Sequence, residues 1–201
     1  MARRSDHSPE ELRDLIVSTA RRLALKEGLR GITSRGIAKS MGYSAGTLYN
    51  HFKDLDDIIM HLNSDTLDGL YQALADCDRQ GPPETVVIGL ARRYIDFIVV
   101  NAALWSIVIE HRPPDQTLRP AFLEEKVARL LGLVEQGLAP LFSPAQRMEQ
   151  QRAARVLWTG VYGVCALGIG GKLDPSDTMT GLAEDFITHY IAGLKAEALT
   201  N

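Results

Sequence analysis

Between Ser44 and Lys53 the chain packs a distinctive set of side chains into a short stretch. Ser44 and Thr47 bring hydroxyls, Ala45 and Gly46 bring almost nothing, and Tyr49, Asn50, His51 and Lys53 follow. Hydroxyl, amide, imidazole and ammonium groups at this density recognise hydrogen-bonding edges and anions. On a helix, Leu48 and Phe52 stand four residues apart and turn inward together, which leaves the polar groups outside. A helix whose first turn is nearly bare can bring its backbone close to the floor of a DNA major groove. There Ser44 and Thr47 reach bases or phosphates, and Ala45 can meet a thymine methyl. Tyr49, Asn50, His51 and Lys53 fall where the helix edge passes the phosphates. The plain alternative is a three-helix bundle with a solvated polar face.

Other chemistry finds little support. No nucleophile–base pair, carboxylate dyad or metal triad emerges, so an enzyme is not expected. His61 and Asp65, four residues apart, could begin a metal site, but no third ligand is in view. Neither a metal nor a cofactor is expected. Cys77 and Cys165 lie 88 residues apart and give no metal spacing and no disulfide framework, which fits a reducing cytoplasm. Met1 is followed by ARRSDHSPEE and not by an apolar run, so no signal peptide is read. The net charge of −3 conceals an asymmetry. Residues 1–53 carry ten Lys and Arg against five Asp and Glu, or +5, which leaves −8 on residues 54–201. A basic head on an acidic body reads as two jobs in one chain.

The elements that must position the opening stretch read as helices throughout. Ser8-Pro9-Glu10-Glu11 is a helix start, with Ser8 as N-cap, Pro9 in the first helical position and Glu11 completing a capping box. Leu12, Ile16, Leu23 and Ala24 keep an apolar stripe, and Gly28 stops it. Thr33 or Ser34 caps a second, short helix with Ile37, Ala38 and Met41 inward. Gly42 makes the turn, and the third helix starts at about Ser44. A helix over 55–79 follows, with Ile58, Ile59, Leu62, Leu67, Leu70 and Leu74 as its inner face. Gly81-Pro82-Pro83 is the clearest linker. Further helices are expected near 84–100, 102–110, 118–141, 145–171 and 177–197, punctuated by Pro113-Pro114, Pro120, Pro140, Pro144 and Pro175. The predicted fold is all-α, with about nine helices. Two short helices joined through Gly42 and braced by a longer one make a helix-turn-helix.

At these residues a family resemblance enters. Thr33, Ile37, Ala38, Gly42-Tyr43-Ser44, Gly46-Thr47-Leu48-Tyr49 and His51-Phe52-Lys53, at this spacing, resemble the DNA-binding signature of the tetracycline-repressor (TetR) family of bacterial transcriptional regulators. The resemblance implies a homodimeric, ligand-responsive repressor of double-stranded operator DNA, with a C-terminal domain that binds a small effector and dimerises. Thr33 would be a phosphate contact, Ala45, Gly46, Thr47 and Tyr49 would face the groove, and His51 and Lys53 the backbone. Ser34, Arg35, Ser44 and Asn50 complete the expected DNA-binding set. One position departs from the family pattern: Leu55, followed by Asp56 and Asp57, stands where a Lys is common. Arg3, Arg4 or Arg35 are the alternative phosphate contacts.

Domains are therefore expected at 1–54 (DNA binding) and 55–201 (effector binding and dimerisation), with the helix over 55–79 as the only connection between head and body. In the body Tyr94, Phe97, Ile98, Trp105, Ile109, Phe122, Trp158 and Tyr162 are expected around an interior cavity. Glu110, His111 and Arg112 are the polar group at its mouth, and His111 is the one counted as an effector contact. The expected effector is apolar or amphipathic. Residues 156–171 carry no charge but are too short and too rich in glycine for a membrane span, so a helix buried on nearly all sides is expected. That helix and the amphipathic one after it (Met179, Leu182, Ala183, Phe186, Ile187, Tyr190, Ile191, Leu194) would pair with their copies in a dimer through 145–171 and 177–197. No membrane partner is expected.

Overall fold

The computed structural model describes residues 7–112 and 120–200, and every regular element among them is helical. In chain order the α-helices are α1 (Pro9–Glu27), α2 (Ser34–Met41), α3 (Ala45–Tyr49), α4 (Leu55–Ala75), α5 (Pro83–Val100), α6 (Ala102–Glu110), α7 (Ala121–Leu138), α8 (Arg147–Ile169) and α9 (Met179–Thr200). None of these helices is long and apolar enough to cross a membrane.

Local signals explain most of the ends. The Glu11 amide donates to the Ser8 hydroxyl at 3.2 Å and the Ser8 amide to the Glu11 carboxylate at 2.6 Å, the reciprocal exchange of a capping box. Gly28 ends α1 at φ 66° and ψ −163°, a conformation essentially closed to any residue with a Cβ. Gly42 ends α2 in the left-handed region at φ 74°. Some ends fall short of expectation. The fourth helix stops at Ala75, ahead of Arg79, and α7 stops at Leu138. Pro140 lacks an N–H and its ring crowds the preceding turn, so residues 139–141 tighten into a 3₁₀ turn. Pro113-Pro114 and the arginines Arg3 and Arg4 lie outside the described residues.

The chain packs as two units. One takes the residues up to 68 together with 101–124; the other takes 69–100 and 125 onward. This differs from the expected boundary at 54/55. The first unit has a continuous core in which Ile16, Ala20, Ile37, Leu48, Phe52, Ile58 and Leu62 are buried together with Leu104 and Ile107 of α6. Those two aliphatics draw α6 into the head, where sequence order had suggested the body. The two units also share more than one helix. α4 divides between them at Asp68 and Gly69, and α7 divides at Glu124 and Glu125.

In the second unit α9 packs on α5 and α8, with Ala183, Ile187 and Ile191 fully buried. α8 departs from its expectation of burial on nearly all sides. Ala153, Ala154, Leu157, Val161 and Cys165 form its covered face. Val156 and Leu167 are 38% and 48% exposed, so the uncharged run has an open face in the single chain. At Gly160 the Phe186 side chain of α9 lies directly over α8. A Cβ built there would lie 2.2 Å from the Phe186 ring.

That contact yields a stability test. Gly160→Ala should destabilise the protein by about 1–3 kcal/mol through overpacking. In a Phe186→Ala background the same substitution should cost little, because the obstructing ring is gone. Urea unfolding of the four proteins checks this, and strictly additive costs would show that the ring and the glycine are not in contact.

Candidate nucleic-acid interface and ligand cavity

The recognition surface rests on the short helix α3. Ser44 is its N-cap: the hydroxyl accepts from the Thr47 amide at 3.3 Å and lies 3.0 Å from the Thr47 hydroxyl. Gly46 is exposed, and a Cβ there would meet only the Ser44 Oγ at 3.8 Å, so the leading turn stays bare. At the other end Leu48 and Phe52 are buried in the head core, at 0% and 2% exposure. Tyr49 is 49% exposed and its hydroxyl lies 2.7 Å from that of Ser34 at the start of α2. Thr33 caps α2, its Oγ1 accepting from the Gly36 amide at 3.0 Å. A hydroxyl that accepts in a cap keeps its own O–H to donate, so Thr33 remains competent towards an anion or a base edge, and the Ser44–Thr47 hydroxyl pair keeps one O–H between them to donate outward. Arg35, Asn50 and Lys53 are exposed, and His51 is half-buried.

What fixes the trailing end of α3 is Arg13 of α1, which no motif in the chain singles out. Its guanidinium lies 4.3 Å over the Phe52 ring, donates to the His51 carbonyl, and places Nη2 3.1 Å from His61 Nε2 on α4. An arginine only donates, so His61 Nε2 must accept. The imidazole proton is then on Nδ1, which donates to the Asp57 carbonyl at 2.9 Å. His61 thus pairs with Arg13 and Asp57, where Asp65 had been weighed as its partner, and its ring packs against Phe52 at 5.2 Å and Phe122 at 4.9 Å. No local pattern could link positions 13 and 61.

The acidic run after Lys53 has a structural use. The Asp57 amide donates to Asp54 at 2.8 Å, and the Lys53 amide donates to Asp57 at 2.9 Å. Carboxylates at the first turn of α4 also meet the positive end of its dipole. Asp56 holds His111, Nε2 to Oδ1 at 2.8 Å, with the imidazole almost wholly buried. Leu55 packs against the head core.

The second unit holds an apolar cavity. Its volume is about 30 Å³ and it opens to solvent, and Leu74, Val87, Leu90, Tyr94, Leu157 and Trp158 are among its walls. Tyr94 and Trp158 are ring neighbours at 5.4 Å. Burial pushes the Tyr94 phenol well above its ordinary range, and pushes the Cys165 thiol up to about 12. Both therefore stay neutral. Of the aromatic and apolar residues expected around a cavity, Tyr94 and Trp158 line this one. Phe97, Ile98 and Tyr162 belong to the same unit but do not line it. Trp105, Ile109, His111 and Phe122 belong to the other unit, together with Glu110 and Arg112, because α6 is packed there and the first residues of α7 are grouped with it. The aliphatic walls, Leu90 and Leu157 for example, carry no signal that separates them from ordinary core.

Comparison with known proteins gives matches over both units. Residues 16–61 match the family described as bacterial regulatory proteins, tetR family, and residues 87–190 match the tetracyclin repressor-like C-terminal domain. An HTH-type transcriptional regulator of Mycobacterium tuberculosis is 25% identical, over 94% of each chain. Among solved structures, a protein of unknown function from Rhodococcus has a TM-score of 0.71 at 20% identity, covering 96% of this chain and 99% of that one. A tetR-family transcriptional regulator from Streptomyces coelicolor has a TM-score of 0.68 at 18% identity, covering 96% and 84%. At these identities the structural likeness speaks for the fold.

The Arg13 contacts lead to a prediction about the head. Arg13→Met keeps apolar cover on Phe52 but leaves the His51 carbonyl and His61 Nε2 without their donor. It should destabilise the protein by about 1.5–3 kcal/mol, the range for a hydrogen bond to a charged group. Urea unfolding measures the cost, and nitrogen NMR of His61 should show its tautomer losing definition. Unchanged stability with an unchanged His61 spectrum would mean that Arg13 fastens nothing.

Proposed function

The chain belongs to the tetR family of bacterial regulatory proteins and is a DNA-binding transcription regulator, not an enzyme; on that premise we propose that it works in the cytoplasm as a homodimeric repressor, released from a palindromic operator when a small molecule enters the second-unit cavity. The observation that carries this reading is the bare leading turn of α3, displayed above a core that fixes Leu48 and Phe52. In this reading Ser44, Ala45, Gly46, Thr47 and Tyr49 meet base edges in the major groove, while Thr33, Ser34, Arg35, Asn50, His51 and Lys53 hold the phosphates. The acidic run that could have argued against DNA binding is engaged within the head, by backbone amides and by His111.

Dimer formation is supported by the open apolar face of α8. Val156 and Leu167 stand eleven residues apart, three turns along one side. Gly163 lies between them with nothing within 4 Å of a Cβ position, which leaves a smooth surface for a second copy. α9 adds half-buried Leu182, Phe186, Tyr190 and Leu194 on the expected seam. A symmetric dimer is what a palindrome requires, because each half-site then takes one α3. Effector contacts are assigned to Tyr94 and Trp158, and coupling to the shared helices α4 and α7.

Two experiments test these assignments. Thr47→Ala and Tyr49→Ala should each weaken specific operator binding by about 1–3 kcal/mol, while Lys53→Ala weakens all DNA binding and flattens the salt slope by about one unit. Gel-shift titrations with the protein's own upstream DNA at several salt concentrations read both effects, and full operator binding by the Thr47→Ala/Tyr49→Ala double variant would sink the assignment. For the dimer, Leu167→Glu puts a charge on a position that is already exposed in one chain, so the fold of the single chain should survive. Light scattering should then report monomers, with operator binding lost; an intact dimer would place the interface elsewhere.

A further inference from the structure

We propose that Phe122, the second residue of α7, is a positioning residue for DNA binding. Its ring holds His61 in the orientation that seats Arg13 against the end of the recognition helix, so operator affinity is set in part from outside the helix-turn-helix. This rests on the reading of α3 as the base-reading helix and adds to it a residue that acts through two others.

Arg13 grips the two residues that follow the C-cap of α3. Its guanidinium lies over the Phe52 ring at 4.3 Å and donates to the His51 carbonyl. An arginine side chain has many rotamers to lose, and the acceptor at His61 Nε2, 3.1 Å from Nη2, is one of the groups that select among them. His61 is itself held by hydrogen bonds in its ring plane, one at Nε2 with Arg13 and one from Nδ1 to the Asp57 carbonyl at 2.9 Å. Bonds at both nitrogens leave tilting about the line between them unopposed, and the torsion that turns an imidazole is soft. Ring contacts oppose it. The Phe122 ring lies 4.9 Å from the imidazole at an interplanar angle of 33°, nearer to stacking than to an edge contact, while Phe52 stands almost perpendicular at 5.2 Å and 82°. Phe122 is held in turn. Leu123 beside it is buried, and the Leu123 and Glu124 amides both donate to the Pro120 carbonyl, which closes the first turn of α7. The ring is thus presented from a formed helix start, and the same helix continues from Glu125 into the second unit.

The probe is a short duplex selected by the wild-type protein from a random-sequence pool, with poly(dI-dC) as the non-specific comparison. Phe122→Ala should weaken binding to the selected duplex about 3- to 30-fold, the range for residues that modulate a site without touching its ligand. Binding to poly(dI-dC) and its salt dependence should stay as in the wild type. Arg13→Met should also weaken binding to the selected duplex. In that background Phe122→Ala should cost little further, since the guanidinium through which it acts is gone. Circular dichroism and urea unfolding establish that each variant is folded under assay conditions. Phe122→Leu, which keeps apolar volume and removes the flat face, takes the place of Phe122→Ala if the latter is not. Losses that multiply in the double variant, or full affinity for the selected duplex in the folded Phe122 variant, would overturn the assignment. Equal losses on both DNAs would do so too, because they report damage to the whole head and not the aim of α3. The Thr47→Ala/Tyr49→Ala double variant separates the two readings. Full affinity there would mean that α3 does not read bases; lost affinity there, with the Phe122 variant unaffected, would remove the role of Phe122 alone.

Discussion

A helix of five residues has no stability of its own, so what α3 displays depends on how Leu48 and Phe52 are buried. The two side chains enter a core supplied by α1, α2, α4 and α6, and that burial, more than any hydrogen bond along α3, sets the direction of its outer face. Arg13 adds direction to the attraction. Stacked on Phe52 and bonded to the His51 carbonyl, it prevents the trailing end of α3 from turning about its own axis. Apolar burial is not directional; a guanidinium fork is.

The same economy governs the charges around α3. Three aspartates follow the recognition stretch at 54, 56 and 57, where they could have repelled a phosphate backbone. Each is occupied within the head. Asp54 accepts from the Asp57 amide in the first turn of α4, Asp57 accepts from the Lys53 amide just ahead of it, and Asp56 meets the nearly buried His111. Amides at a helix start need acceptors whatever the protein does, so this acidity is the cost of beginning α4 immediately after the recognition stretch. The head keeps Arg35 and Lys53 exposed beside the polar face of α3.

The second unit solves a different problem. Its helices meet through small residues, as where Phe186 lies over Gly160, and one face of the uncharged stretch of α8 is left open. Exposed aliphatic side chains at three-turn spacing, with a bare glycine between them, are what one half of a symmetric interface looks like before its copy arrives. Inside, the walls around Tyr94 and Trp158 leave space that core side chains do not fill. Close packing is the rule in protein interiors, so an unfilled apolar space with aromatic walls is a feature that a ligand can use.

The order of amino acids alone dictates the helical class, the helix-turn-helix and most helix starts and stops. These are written locally: Ser8 with Glu11, Gly28, Gly42 and the Leu48/Phe52 pair act over one or two turns, and helical periodicity carries their meaning directly. It could not tell which aromatics share a cavity. Trp105 and Trp158 look alike in sequence, yet one is buried in the head unit and the other lines the cavity, because Leu104 and Ile107 draw α6 into the core of the first unit. Nor could it show that α8 is covered on one face alone, or that Arg13 would reach His61. Those outcomes depend on contacts between residues tens of positions apart, and such contacts leave no period in the chain. They are fixed only when apolar faces choose their partners, and that choice belongs to the tertiary structure.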